Sequence, residues 1–198
     1  MKQYMLDTNC IRYNVTKNKY LKKASKRFFQ MVEEEKETNE VHLVIPEEVK
    51  EELINQTYGF REVFHNEREI ENIEAFLPHL KVVPNHINYE EEKVIRRMAA
   101  IVTTRYRTPL TQEIKKNFRF PSASDARILG SALKTDSIMV TNNTREFILL
   151  LFLAQPKQQI LYDLEEGQYL KISQTLYDLV WNDHEFIQLY NHFNKSCS

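Results

Sequence analysis

Residues 122–147, SASDARILGSALKTDSIMVTNNTREF, decide the fold. Pro121 stops the chain ahead of them. Ser122 and Asp125 then have the spacing of a capping box, with Asp where Glu or Gln is usual, so a helix starts there and runs to about Lys134. Ser137 to Thr141 (SIMVT) is a short apolar strand. The polar run Thr141-Asn142-Asn143-Thr144 ends it. A helix that feeds a buried strand, which then stops in polar residues, is the repeating unit of an α/β sheet.

The same alternation extends outward. Residues 3–6 (QYML) form a strand that ends at Asp7. Residues 19–37 are helical, with Leu21, Phe28, Phe29 and Val32 on one face. Residues 41–45 (VHLVI) are a second strand, and Pro46 starts a helix to about Gln56. Residues 60–77 continue as a helix, and 80–83 (LKVV) are a third strand. Helices at 89–105 and 110–118 are separated near Pro109. A short apolar helix follows Thr144, then strand-like residues 159–162 and 168–172, then a helical stretch at 174–194. Strands alternating with helices predict an α/β fold with a mostly parallel sheet, which gathers ligands at the carboxyl ends of its strands.

Composition narrows the function classes. The chain has 198 residues, enough for one domain or one domain with an added element. Hydrophobic residues at 42% and charged residues at 28% argue against disorder. The three glycines stand alone at 59, 130 and 167, so no phosphate-binding glycine loop exists. Two cysteines, Cys10 and Cys197, make neither a disulfide framework nor a four-thiolate zinc site. No apolar run approaches the roughly 20 residues that span a bilayer. The expectation is a soluble, cytoplasmic protein with no membrane partner.

Net charge is −1, but the charges are segregated. Residues 17–27 hold Lys17, Lys19, Lys22, Lys23, Lys26 and Arg27 with no acid. Residues 93–119 hold Lys93, Arg96, Arg97, Arg105, Arg107, Lys115, Lys116 and Arg119 with one acid, Glu113. Residues 33–52 carry nine Glu against two Lys. Such blocks bind polyanions locally or form solvated helix faces.

Five polar residues follow the predicted strands or precede them by one helix: Asp7, the i, i+4 pair Glu48 and Glu52, Asp125 and Asn143. Carboxylates that converge repel one another unless a cation neutralises them. Oxygen ligands with open water positions suit Mg²⁺ or Mn²⁺, which activates water and stabilises charge on a phosphodiester. Each residue also has a plainer role. Asp7, Thr8 or Asn9 can cap a helix, Glu48 and Glu52 can face solvent, Asp125 completes a capping box, and Asn143 can sit in a turn.

The order strand-Asp7-Thr8-Asn9, then Val49-x-x-Glu52-Leu53, then Ser124-Asp125-Ala126-Arg127-Ile128-Leu129-Gly130, then Val140-Thr141-Asn142-Asn143-Thr144-Arg145-Glu146-Phe147, resembles a PIN domain. It is most similar in pattern to the VapC-type ribonuclease toxins, from residue 4 to about 147. The resemblance implies a PIN-like three-layer fold with a mostly parallel sheet flanked by helices. It implies an Mg²⁺- or Mn²⁺-dependent endoribonuclease with Asp7, Glu52, Asp125 and Asn143 catalytic. Asp7, Glu52 and Asp125 are then the metal ligands, with Thr8, Asn9, Thr141 and Glu48 in support. Asn143 stands where many members carry a fourth Asp. In a toxin–antitoxin setting a small antitoxin protein covers the acidic site.

The chain departs from the compact toxins in length. The nuclease domain is expected at 1–172 with a helical insertion at about 58–120, and a helical extension at 173–198. The basic insertion makes Arg96, Arg97, Arg105, Arg107, Lys115, Lys116 and Arg119 the expected RNA contacts, with Tyr106 and Phe118 available to stack on bases. The apolar residues of 174–194 want a partner surface on the same domain, a second copy, or the RNA path. The alternative to a nuclease is a catalytically weak PIN-like module that binds RNA or a protein. Asn9 stands where a haloacid-dehalogenase-type phosphatase needs its second Asp.

Overall fold

The computed structural model describes residues 2–59, 61 and 67–196. The chain divides into two compact units. One comprises residues 1–85, 136–142 and 162–168, the other residues 86–135, 143–161 and 169–198. The boundary thus runs through the sequence several times.

The first unit is built on the sheet. Its strands are β1 (Lys2–Leu6), β2 (Val41–Pro46), β3 (Lys81–Val83) and β4 (Ile138–Thr141). β1 pairs in parallel with β2 and with β4, and β2 pairs in parallel with β3. With β5 (Leu161–Asp163) and β6 (Gln168–Tyr169) the order is β3-β2-β1-β4-β5-β6. This is an α/β fold with a mostly parallel six-stranded sheet. Successive strands step one way from β1 to β3, and the chain then returns to the other side of β1 with β4. That reversal leaves a crevice at the carboxyl ends of β1 and β4, where open α/β sheets bind ligands.

Helices α1 (Thr8–Val15), α2 (Lys19–Lys36), α3 (Glu47–Gly59) and α4 (Glu67–Phe76) complete this unit. Asp7 caps α1 through the Thr8 backbone N–H, and Asn18 caps α2. α2 buries Ala24, Phe28 and Val32. The Phe28 ring meets Tyr4 of β1 edge-on at 5.4 Å, and the Tyr4 hydroxyl donates to Glu35 at 2.8 Å. The turn between β5 and β6 holds Gly167 at φ 72°, with the Arg27 guanidinium close enough that a Cβ would sit 2.1 Å from it. Glycine takes this left-handed conformation without the Cβ strain of other residues. Part of the helix expected at 60–77 falls outside the described residues; α4 accounts for the rest.

The second unit is helical: α5 (Tyr89–Arg105), α6 (Arg107–Ile114), α7 (Ala123–Lys134), α8 (Thr144–Phe147), α9 (Leu150–Leu153), α10 (Gln174–Trp181) and α11 (His184–Ser196). Gly130 lets α7 approach α5, since a Cβ there would stand 2.5 Å from Ile87 and 2.7 Å from Ile95. α6 begins three residues before the expected start, because Pro109 sits in its first turn, where a missing N–H costs nothing. The stretch 174–194 is broken into two helices. The Asp183 carboxylate accepts from the backbone N–H groups of Glu185 and Phe186 and starts the second helix.

α11 packs on α5, with Phe186, Leu189 and Phe193 buried. Trp181 donates to the Phe152 carbonyl at 2.8 Å. The C-terminal segment is therefore an integral part of the second unit. Within it Phe186 and Leu189 are core residues, whereas Leu179 is 46% exposed. No helix among the described residues is long and apolar enough to cross a membrane.

Candidate functional site

The site residues fall into two groups, one in each unit. The first group lies at the carboxyl ends of β1 and β4. Leu6 pairs with Val140, so the next residues along, Asp7 and Thr141, leave the sheet side by side. The Asp7 backbone N–H donates to the Val140 carbonyl at 3.1 Å. The Asp7 carboxylate accepts from the Thr8 N–H at 2.8 Å, the Thr141 hydroxyl at 2.7 Å and the Asn9 amide at 3.2 Å. The Thr8 hydroxyl donates to Glu52 of α3 at 2.7 Å, which turns that glutamate toward the strand ends. Gln56 donates to the other Glu52 oxygen at 2.7 Å. Glu48, one helical turn earlier, is half-buried.

Asp7 is 93% buried, and every partner is a neutral donor. Burial lifts its carboxyl from 3.8 to about 6, against the pull of the Thr141 and Asn9 donors, and the negative charge of Glu52 adds to the rise. Among the described residues neither Asp7 nor Glu52 has a cationic side chain in salt-bridge contact. Two acids held this way, by oxygen-bearing and amide neighbours, match a hard divalent cation in donor chemistry. Cys10 is buried, gives its S–H to the Val140 carbonyl at 2.9 Å, and has its thiol pushed up by that burial. It is an inert core residue.

The second group surrounds the start of α7. Asp125 completes the capping box with Ser122, accepting from its N–H at 3.0 Å and its hydroxyl at 2.6 Å. The plainer role foreseen for Asp125 is thus realised. It also contacts Glu146 of α8, a residue the sequence did not single out. The Glu146 carboxyl is raised first by burial and then by the negative charge and hydrogen bond of Asp125; the Asn143 amide and the Arg119 cation oppose the rise. Asn143 caps nothing through its side chain and donates instead to Glu146. The Asn143-x-x-Glu146 spacing was the available signal for this pair.

Among the described residues no three His, Cys, Asp or Glu side chains form a group able to hold a metal ion. Two carboxylate pairs stand out, Asp7 with Glu52 in the first unit and Asp125 with Glu146 in the second.

The basic insertion is less available than its sequence suggests. Arg96 pairs with Glu92 at 3.6 Å, Arg97 with Glu185 at 3.9 Å, and Arg105 with Asp183 at 3.0 Å and with Glu185. Tyr106 donates to Asp183 at 2.9 Å, and Phe118 is buried, which removes it from base stacking. Lys116 donates to Thr144 at 3.3 Å. Arg107, Lys115 and Arg119 are exposed.

No family model matches the chain, and no curated protein matches it. Among solved structures it is similar to VapBC2 from Rickettsia felis bound to a DNA fragment from their promoter, with 17% identity and a TM-score of 0.47, over 72% of this chain and 89% of that one. At that distance the likeness assigns no residue a role.

Proposed function

We propose that this chain is a PIN-like, Mg²⁺- or Mn²⁺-dependent endoribonuclease that serves as the toxin of a toxin–antitoxin pair. The observation that carries the proposal is the Asp7–Glu52 pair. It is set at the reversal point of a parallel sheet, held by neutral donors, and has no cationic side chain in contact among the described residues. The four-block motif order supplies the assignment to a nuclease, to RNA and to an antitoxin partner.

A divalent ion, when bound, supplies an activated water and counter-charge for the phosphodiester. The chain's own residues do the rest. Thr8 and Thr141 fix the Asp7 carboxylate, and burial keeps water from screening it. Thr8 also orients Glu52, so one residue sets the spacing of both acids. In the second unit Asp125 and Glu146 touch and share a hydrogen bond. Asn143 positions Glu146 through its amide.

The test is incubation of bulk RNA with the protein in Mn²⁺, Mg²⁺ or EDTA. Cleavage in either metal, absent in EDTA and absent in Asp7→Asn, supports the proposal. A catalytically weak RNA- or protein-binding module is the alternative, favoured by the occupation of Asp125 in its own capping box. It predicts RNA retention without cleavage in any metal.

A further inference from the structure

The two basic blocks differ in how their charge is met. In α5 the arginines Arg96, Arg97 and Arg105 are answered by Glu92, Asp183 and Glu185. At the start of α2, Lys17, Lys19, Lys22 and Lys23 form no ion pair among the described residues. Beside them Tyr20 is 60% exposed. Lys19, Lys22 and Lys23 lie at i, i+3 and i+4, so they share one face of the helix.

This arrangement is unfavourable for the helix itself. Like charges three and four residues apart repel. Cations at a helix amino end oppose the macrodipole, and the first turn of α2 holds no acid. Two of the three acids at the other end of the same helix are compensated, Glu35 by Lys2 at 2.6 Å and Glu33 by Lys36 at 2.7 Å. A local rule broken with no compensating partner points to a ligand that supplies one. That ligand is an anion, and the exposed ring beside the lysines favours one that carries aromatic bases.

We propose that Lys17, Lys19, Lys22, Lys23 and Tyr20 form the surface that holds single-stranded RNA, its phosphates on the lysines and a base on the tyrosine. The proposal rests on RNA as the substrate and moves its main contact from the α5 block to α2. α1, which leads from Asp7 to this surface, has eight residues and so spans ~12 Å. A strand lying on the lysines is therefore within a short reach of the carboxylate pair in the same unit.

The experiment is fluorescence anisotropy with a labelled, unstructured RNA oligomer in EDTA, so that cleavage plays no part. The triple variant Lys19→Gln, Lys22→Gln, Lys23→Gln should bind at least ~10-fold more weakly, with a salt dependence shallower by about two units of slope. Its melting temperature should hold or rise, because repulsion is removed. Tyr20→Ala should lose ~10-fold in affinity with the slope unchanged. Wild-type affinity and slope in the lysine variant overturn the proposal. So does weaker binding to phosphatidylcholine–phosphatidylserine vesicles with RNA binding intact, which makes the surface a membrane contact. If no metal supports cleavage yet the lysine variant binds RNA weakly, the surface stands and the nuclease assignment fails.

Discussion

The two carboxylate pairs solve the same electrostatic problem differently. Asp7 and Glu52 are separated by Thr8, which donates its N–H to one and its hydroxyl to the other. Their like charge is met by neutral donors, and Asp7 remains costly to ionise because it is buried. Asp125 and Glu146 touch directly, share a hydrogen bond, and have the charge of Arg119 nearby. A touching pair is satisfied by one proton. A pair held apart by a donor leaves space and charge for an ion. Two acids close together therefore do not define a metal site; what fills the gap between them does.

The largest expected effect is on catalysis. Asp7→Asn should lower Mn²⁺-dependent RNA cleavage by at least ~100-fold, beyond the usual effect of disturbing a residue that merely orients a ligand. Glu146→Gln should lower it much less. Equal losses in the two variants would erase the distinction between the pairs.

The next effect is on stability and its pH dependence. The folded Asp7 carboxyl titrates near 6 and the unfolded one near 3.8. Between these values the folded state holds the extra proton, so stability is full below about pH 3.8 and falls as pH rises through about 6. The shift corresponds to an upper bound of ~3 kcal/mol. In metal-free buffer at pH 8, Asp7→Asn should therefore gain roughly 1–2 kcal/mol, after the loss of one hydrogen bond to Thr8 or Thr141. Urea denaturation at pH 4 and pH 8 checks this. A variant no more stable than wild type at pH 8 means the carboxylate is not strained by burial.

Glu146→Gln should also stabilise at pH 8 relative to pH 4, because it removes the Asp125 repulsion while keeping an acceptor for Asn143. The gain should be smaller than for Asp7→Asn, since Glu146 is only half-buried. Paired thermal melts at the two pH values read it.

The smallest effect is at residue 143. Asn143→Asp should loosen the hold on Glu146, because a carboxylate cannot donate to it as the Asn143 amide does. It should also destabilise the apo protein at pH 8 by adding a third charge beside Glu146. An Asn143→Asp protein that melts like wild type at pH 8 would mean that the amide does not hold Glu146.

Local signals in the sequence read well. Pro46 at the end of β2, the Asn18 and Ser122 caps and the apolar strands at 3–6 and 138–141 depend on neighbours a few residues away. The capping role of Asp125 was legible for the same reason. Long-range compensation was not. Nothing near Arg97 or Arg105 in the chain announces that Asp183 and Glu185 will answer them from α11, so the insertion looked like the stronger nucleic-acid surface. Phe118 likewise sits among charges in sequence but is buried in the fold. Glu146 was missed because its spacing to Asn143 reads as an ordinary helix start. Its meaning comes from Asp125, 21 residues earlier.

The central claim is that the Asp7–Glu52 pair binds a divalent cation. Titration of Mn²⁺ into wild type, Asp7→Asn and Glu52→Gln at pH 7.5, followed by electron paramagnetic resonance of the free ion, tests it directly. The account predicts stoichiometric binding in wild type and at least ~10-fold weaker binding in each variant. Equal Mn²⁺ affinity in all three proteins would contradict it.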